Sequence, residues 1–173
     1  MKYRNLTFLF FFFMVLTSYS QTKEESKFRF RSASLGLGIC AGEINEGGVS
    51  IYLDATTEYD KNLFSFTYST GAELNLFDAS RNYYEYALLY GREVSVSRII
   101  KLESSLGLAY FNVVYKNGDT DFKKISESAV GVPLKLKLLF YVSKNMALGL
   151  NPNVTFNSIE NTYSAHLVIQ YKF

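Results

Sequence analysis

The sequence predicts an all-β protein: an eight-stranded antiparallel transmembrane β-barrel, up-and-down in topology, with short turns at one end. From Ala33 onward, apolar and polar residues alternate with period two, and one of the two resulting faces is almost entirely apolar. The opposite face is rich in Gly and Ser. Because an eight-stranded barrel has room only for modest side chains inside, the polar face is expected to fill the interior and the apolar face to meet lipid.

Composition excludes several other classes of protein. The chain has 173 residues, 48% of them hydrophobic, and this suits a single folded domain rather than a disordered chain. A net charge of +2 argues against a nucleic-acid-binding surface. One Cys and one His exclude a disulfide scaffold and a conventional His/Cys metal cluster.

The N-terminus has the layout of a secretory signal peptide. Lys2 and Arg4 precede an apolar run over residues 6–16, and Ser18 and Ser20 supply the small residues of a cleavage site. The apolar run is too short for a membrane-spanning helix, which needs about 20 residues. We therefore expect a signal peptide at residues 1–20, a short charged periplasmic lead-in at 21–32, and the barrel at 33–173.

Eight strands are predicted from the alternating runs, with links of two lengths between them. The links at 60–62, 97–99 and 142–145 are short, and those at 41–48, 77–82, 116–128 and 157–161 are longer. Short turns that alternate with longer loops are typical of transmembrane barrels. The predicted strands are about 33–40, 49–59, 63–76, 83–97, 99–115, 129–141, 146–156 and 162–173.

Aromatic residues on the apolar face form two groups, one near each predicted end of the barrel. Such belts flank the aliphatic band of a transmembrane barrel. One group is Tyr59, Phe64, Phe66, Phe140, Tyr171 and Phe173, and the other is Tyr84, Tyr86, Tyr110, Phe156 and Tyr163. Exceptions to the apolar pattern include Thr70, Arg92, Ser104 and Pro152.

These features resemble the small eight-stranded outer-membrane β-barrel family, OmpX-like or OmpA-barrel-like in size. The C-terminal segment 167–173 looks like the family's insertion signal, since its apolar residues alternate and it finishes in Phe173. The resemblance covers residues 33–173. It implies a monomeric protein of the bacterial outer membrane that contacts outer-membrane lipid and has no nucleic-acid partner. It also implies that the outer-membrane assembly machinery recognises the chain through Phe173.

The predicted interior carries charges of both signs. Buried charges must be paired, so we expect salt bridges that hold the barrel closed rather than an ion pathway. The acidic residues are Asp54, Glu73, Glu85, Glu93 and Glu103, and the basic residues are Lys101, Lys135, Lys137 and Lys172.

Ser164 and His166 stand two residues apart and are compared with the catalytic pair of a known barrel enzyme. Lipid A deacylase barrels carry a His-x-Ser pair followed by Asn, but here the order is reversed, the Asn is missing, and both residues point inward by parity. We favour a structural His166 hydrogen-bonded to a Glu, because a nucleophile needs its base within reach and a third group to orient it.

We accordingly predict no catalytic, cofactor-binding or metal-binding residues. The expected function is that of a non-enzymatic outer-membrane barrel, serving envelope integrity or binding through its outer loops. Two alternatives stay open: a lipid-acting barrel enzyme, and a secreted lipocalin-like carrier whose apolar face would line a ligand cavity. Against the carrier, the chain has no Trp for the Gly-x-Trp motif that lipocalins usually carry.

Two further motifs receive structural interpretations. Residues 116–121 lack the closing Glu of a calcium loop and match ordinary turn chemistry. Cys40 lies twenty residues beyond the cleavage site, so it is interpreted as a small interior strand residue rather than a lipoprotein cysteine.

Three residues break the strand pattern. A lipid-facing Arg92 would be costly near the midplane, so it should reach the periplasmic headgroups or turn inward at a bulge at Gly91. Pro133 and Pro152 are expected near each other on the seam between strands six and seven, where each removes a ladder donor. Lipid A palmitoyltransferase barrels are similar here and admit lipid sideways, although their catalytic His and Ser have no match. Either both prolines lie at bulges, or this seam is weak.

Overall fold

The computed structural model describes residues 28–42, 47–73, 81–116 and 124–173. Each strand pairs antiparallel with the next, and β8 pairs with β1 to close the barrel. The predicted fold class is therefore confirmed. The strands are β1 (Phe28–Gly42), β2 (Gly48–Tyr59), β3 (Asn62–Glu73), β4 (Arg81–Ser95), β5 (Ile100–Lys116), β6 (Lys124–Tyr141), β7 (Met146–Asn157) and β8 (Thr162–Lys172).

The barrel has two distinct ends. The turn end holds the links at 60–61, 96–99 and 142–145, together with the start of β1 and the end of β8. Asp60 and Lys61 have φ of 45° and 69°, the positive values that a two-residue hairpin turn of type I′ requires at both central positions. The loop end holds the other four links, of which residues 47 and 158–161 are described. The predicted signal peptide and most of the predicted turn at 116–121 lie outside the described residues. No helix in the described ranges is long and apolar enough to cross a membrane.

Strand β1 begins at Phe28, inside the segment 21–32 that was predicted as a lead-in. A bulge between Phe30 and Ser32 makes Arg31 an extra residue opposite β2. Arg31 thereby turns into the interior and is only 5% exposed, while Phe30 stays outside and packs against Phe173 with ring centroids 4.8 Å apart. The run of charges predicted a lead-in outside the barrel, but residues 28–32 belong to β1 and Arg31 forms buried ion pairs there.

The apolar face is the outer surface. Leu37, Leu88 and Leu167 are 63%, 68% and 70% exposed, whereas inward neighbours such as Thr67, His166 and Gln170 are buried. The interior is thus the polar face, as predicted. This arrangement is the opposite of a lipocalin-like carrier, in which the apolar side chains would enclose the cavity.

Both predicted aromatic belts lie on this outer surface. Tyr59, Phe64 and Tyr171 are exposed around the turn end, where Phe64 also packs against Tyr90 with centroids 5.6 Å apart. At the loop end the exposed aromatic residues include Tyr110 and Phe156. An aliphatic band separates the two belts, as the sequence pattern indicated.

Arg92 faces outward near the turn end. The register of β4 with β5 runs without a shift through Gly91 and Arg92, so the alternative of an inward turn at Gly91 is wrong. Arg92 pairs with Asn62, the first residue of β3, and its Nε donates to Asn62 Oδ1 at 3.2 Å. Its position beside the β2–β3 turn is where a snorkelling arginine would reach polar surroundings.

The two prolines interrupt different seams, which corrects the expectation that both weaken the seam between β6 and β7. Pairing of β5 with β6 skips from Leu106↔Leu134 to Ala109↔Gly131, at the level of Pro133. Pairing of β6 with β7 skips from Lys135↔Asn153 to Leu138↔Leu150, at the level of Pro152. The register is the same on both sides of each gap, so neither proline lies at a bulge. Each gap instead follows from the N–H that proline lacks.

Candidate functional site

The centre of the interior is organised around Lys137 of β6. Its Nζ lies 3.2 Å from Asp54 Oδ1 on β2 and 2.9 Å from Glu103 Oε2 on β5, and it also donates to Gln170 Oε1 at 3.2 Å. Lys137 and Glu103 are 5% and 4% exposed. Since β2 and β6 stand on opposite walls of the eight-stranded barrel, the Lys137–Asp54 contact bridges the interior.

A second bridge lies one layer closer to the loop end. Lys135 Nζ donates to Glu85 Oε1 on β4 at 2.8 Å and to Thr67 Oγ1 on β3 at 3.0 Å. Thr155 of β7 donates to the other oxygen of Glu85 at 2.6 Å. The lysine also stands over the ring of Tyr52, 5.3 Å from its centroid. Both charges are therefore compensated by a salt bridge and by neutral partners.

A third cluster closes the turn end around Arg31. Its guanidinium bonds to Glu58 of β2 and to Glu93 of β4, so it links β1 to two other strands at this opening. Glu93 also accepts from Lys101 Nζ at 3.1 Å, and Glu58 accepts from Arg29 at 3.0 Å. The cluster is a continuous chain of alternating charges across the end of the barrel.

The predicted salt-bridged interior is therefore present. Of the nine charged residues predicted to line it, Asp54, Glu85, Glu93, Glu103, Lys101, Lys135 and Lys137 form these bridges. Glu73 and Lys172 are partly buried at opposite ends. The prediction missed Arg31, Glu58, Arg81 and Glu160. Glu58 has the inward parity of β2 and could have been found, whereas Arg31 depends on the bulge in β1.

His166 is buried in the half of the barrel nearer the loop end, but its hydrogen-bond partners are not those predicted. Nε2 contacts Ser50 Oγ at 2.9 Å and Nδ1 contacts Asn153 Nδ2 at 3.2 Å, so the expected Glu partner is wrong. Ser164 contacts the same Asn153 rather than His166. Gly38 pairs with Ser50 on one side and with His166 on the other. Because Gly38 has no side chain, Ser50 and His166 can meet across it.

The Ser50–His166 pair is placed for structural support rather than for hydrolysis. Ser50 and His166 are 3% and 1% exposed, and the imidazole stacks on Tyr52 with ring centroids 5.3 Å apart. A nucleophile must be reached by its substrate, and both groups are enclosed by side chains of the barrel wall. Asn151, which pairs with His166 from β7, is fully buried, and neither atom of its side-chain amide has a hydrogen-bond partner among the described residues.

An apolar layer covers the polar interior towards the loop end. Cys40, Tyr83, Phe111 and Val113 form a buried cluster, against which Ile159 of the β7–β8 loop packs. Arg81 Nη2 lies 2.8 Å from Glu160 Oε1 and ties this loop across the mouth. Cys40 is a free, buried cysteine on an inward-facing position, as predicted from its parity. The interior is thus held by ion pairs below and by apolar packing above.

Comparison with known proteins identifies the fold but no sequence family. The sequence matches no protein-family model and no curated protein sequence. Among solved structures, neisserial surface protein A matches with a TM-score of 0.67 and 11% identity, over 86% of this chain and 98% of that protein.

Two further solved structures have the same architecture. The attachment invasion locus protein Ail of Yersinia pestis, in complex with a heparin analogue, matches with a TM-score of 0.60 and 11% identity, over 84% of this chain and 100% of that one. The N-terminal β-barrel domain of Pseudomonas aeruginosa OprF matches with a TM-score of 0.58 and 12% identity, over 84% and 99%. The chain therefore has the fold of the small eight-stranded outer-membrane β-barrels.

Proposed function

We propose that this protein is a non-enzymatic barrel of the bacterial outer membrane and that it acts as a closed, non-conducting element of the envelope. The observation that carries the proposal is the cross-barrel bridge between Lys137 and Asp54, with the Arg31 cluster below it. A path for ions would have to break these buried pairs, and breaking such a pair costs about 3–5 kcal/mol.

The outer surface supports the membrane location. A soluble protein would have to expose the whole aliphatic band and both aromatic belts to water, far beyond the patch size that soluble monomers tolerate. In the proposed orientation the turn end faces the periplasm and the loop end faces the exterior. This follows the arrangement of outer-membrane barrels, in which the turns are periplasmic.

Fractionation and conductance measurements test this proposal. The folded protein should be recovered in the outer-membrane fraction and show heat-modifiable mobility in detergent extracts. Reconstituted in planar bilayers, it should add no steady conductance. A strain that lacks the protein should become more sensitive to detergents that intact outer membranes exclude. Recovery as soluble periplasmic protein, a steady open conductance, or unchanged detergent sensitivity would each contradict the corresponding part.

The alternative of a lipid-acting enzyme has weaker support. Ser164 and His166 both face inward and do not contact each other, and the Ser50–His166 pair is buried. A lipid substrate would approach from the outer surface, where the exposed large side chains are aliphatic and aromatic. The acyl composition of lipid A with and without the protein tests this: a change that requires His166 would establish enzymatic activity.

A second function, binding at the loop end, is favoured by the unequal lengths of the strands. Strands β5 and β6 have 17 and 18 residues, whereas β7 and β8 have 12 and 11. The β5–β6 hairpin therefore projects beyond β7 at the loop end, where pairing of β6 with β7 begins at Gly131, whereas β4 accompanies β5 up to Tyr115. A projecting hairpin adds nothing to closure of the barrel and offers a surface to a partner outside the membrane.

A further inference from the structure

A polar row interrupts the apolar outer surface near the turn end. Within the described strands, Arg92 is the only charged residue among the outward-facing positions from one aromatic belt to the other. It pairs with Asn62 of β3 on one side and with Ser104 of β5 on the other. Directly paired residues lie about 4.5–5.5 Å apart, so these three side chains form a continuous row across neighbouring strands.

The polar row lies at the level of the turn-end aromatic belt. Its first member, Asn62, pairs with the exposed Tyr59 of that belt. Tyr90, the next outward residue of β4 towards the membrane centre, is again an exposed aromatic residue. Aromatic belts mark the boundary between hydrocarbon and headgroups. Arg92 therefore stands where lipid phosphates lie and not in the centre of the hydrocarbon.

Asn62 holds the Arg92 side chain in a fixed direction. Its Oδ1 accepts from Arg92 Nε at 3.2 Å and from Tyr90 Oη at 2.8 Å. Its Nδ2 donates to the backbone O of Asp60 at 3.3 Å, in the β2–β3 turn. The amide is thus bonded at both ends, and it orients the guanidinium before any ligand binds. A donor that is fixed in advance loses less conformational entropy on binding.

The outer part of this guanidinium is free to bind a ligand. Arg92 takes part in no ion pair within the part of the chain that the structure describes, and its bond to Asn62 uses only Nε. The two Nη groups keep their N–H donors, which form the planar fork that matches phosphate. Ser104 is exposed beside them and adds a hydroxyl donor.

The charges around the polar row favour an anionic headgroup. Arg92 brings one positive charge, whereas Asp60 and Lys61 of the adjacent turn cancel each other. Glu93, the nearest carboxylate along β4, faces inward and is engaged by Arg31 and Lys101. The row itself contains no carboxylate for the ammonium group of a zwitterionic lipid, and Asn62 Oδ1 already accepts two hydrogen bonds.

We propose that the polar row binds one anionic glycerophospholipid, whose phosphate accepts two parallel hydrogen bonds from the Nη groups of Arg92 and a third from Ser104 Oγ. This inference rests on the proposed membrane location and adds a defined lipid ligand to it. A bidentate arginine–phosphate pair combines charge with direction, so it selects a phosphate in one position over diffuse attraction to an anionic surface. In the proposed orientation the lipid belongs to the periplasmic leaflet.

Lipid retention by the intact barrel tests the proposal. The protein is inserted into nanodiscs that contain equal amounts of phosphatidylglycerol and phosphatidylcholine with the same acyl chains. Native mass spectrometry then identifies the lipid that stays bound when the barrel is released. We expect a single retained phosphatidylglycerol, found about fivefold more often than phosphatidylcholine.

Matched variants separate a formed site from general attraction by charge. Arg92→Gln should remove the preference, and Arg92→Lys should lose most of it, because an ammonium keeps the charge but not the planar fork. Asn62→Ala changes no charge, yet it should weaken the preference because Arg92 loses its support. Lys61→Gln is the control, since it removes an exposed positive charge from the adjacent turn and should keep the preference within about twofold.

Several results would overturn the proposal. Equal retention of the two lipids by the wild-type barrel would show that no such site exists. An unchanged preference in Arg92→Gln would place the bound lipid elsewhere, and an equal loss in Lys61→Gln would show that only the net charge of the turn end matters. Full preference in Arg92→Lys would contradict bidentate binding.

Folding and membrane insertion are scored separately from lipid preference. Each variant should show the heat-modifiable mobility of the wild type in phosphatidylcholine, where the preferred lipid is absent. A wild-type barrel that does not insert into nanodiscs would contradict the proposed membrane location and this inference with it. An inserted barrel without lipid preference would contradict the lipid site alone.

Discussion

Replacing Lys137 by Met removes the charge at the centre of the interior while keeping a long side chain. Two carboxylates, Asp54 and Glu103, would remain with side chains 1% and 4% exposed and without their shared cation. Gln170, which accepts from Lys137, would lose the same donor. Breaking a buried ion pair by removing one partner costs about 3–5 kcal/mol. Lys137→Met should therefore lower the folding equilibrium constant by roughly 10²–10⁴.

The measurement is reversible urea unfolding of the barrel in lipid vesicles, followed by the mobility difference between folded and unfolded protein. Lys144→Met is the matched control, because Lys144 is an exposed lysine in the β6–β7 turn of the same hairpin. Its free energy of unfolding should stay within about 0.5 kcal/mol of wild type. The triple variant Asp54→Asn, Glu103→Gln, Lys137→Met carries no charge at this level and should recover most of the loss.

Two outcomes would refute this reasoning. A Lys137→Met protein that unfolds within 1 kcal/mol of wild type would show that the bridge does not hold the opposite walls together. A triple variant as unstable as Lys137→Met would show that the loss comes from altered packing of the lysine stem and not from uncompensated charge. Either result would also weaken the proposal that the interior is closed by its ion pairs.

Deleting Phe173 should reduce the amount of assembled barrel in cells several-fold, as measured by heat-modifiable mobility. The heat resistance of the barrel that does assemble should be nearly unchanged, because the Phe173 side chain is 65% exposed. An unchanged amount of assembled barrel would contradict this prediction. The amide of Gly107, opposite Pro133, and that of Leu136, opposite Pro152, should exchange at least tenfold faster than amides of the uninterrupted β2–β3 ladder. Equal protection would show that the β5–β6 and β6–β7 pairings are not weakened at the prolines. Leu88→Arg, at the middle of β4 on the outer face, should lower the free energy of unfolding in vesicles by about 2–4 kcal/mol. Arg92→Leu, near the turn end, should change it by less than about 0.5 kcal/mol. Similar changes for the two variants would show that depth in the membrane does not distinguish the two positions.

The strands and their faces could be predicted because a barrel imposes the same local rule on every strand. Each residue either faces the interior or the outer surface, so period two is visible without knowledge of the partner strand. Asp54, Glu85 and Lys135 were placed inside on this basis alone, and the structure confirms them. The prediction of paired charges also follows from a general requirement, since an unpaired charge in the interior would be too costly.

The particular partners could not be predicted because they depend on register and on single-residue irregularities. Ser50 and His166 meet only because Gly38 stands between them in the same row, and this row is fixed by two separate pairings of β1. Arg31 enters the interior only because a bulge shifts the parity of β1 by one residue. In a lone sequence, such a shift looks like the end of the alternating pattern, so the strand was predicted to start too late.

Pro133 and Pro152 illustrate the same limit of sequence-based prediction, and the structure also shows how the barrel tolerates a proline within a strand. Their spacing suggested one weak seam, but the direction in which each missing N–H points is set by parity within its strand. Pro133 therefore faces β5 and Pro152 faces β6, so β6 has a gap on each side. Lys135 and Lys137 come from this same stretch of β6 and reach inward to β4, β2 and β5. The strand whose ladders are interrupted on both sides thus also contributes three buried ion pairs to the interior, and these side-chain bridges hold it where main-chain hydrogen bonds are missing.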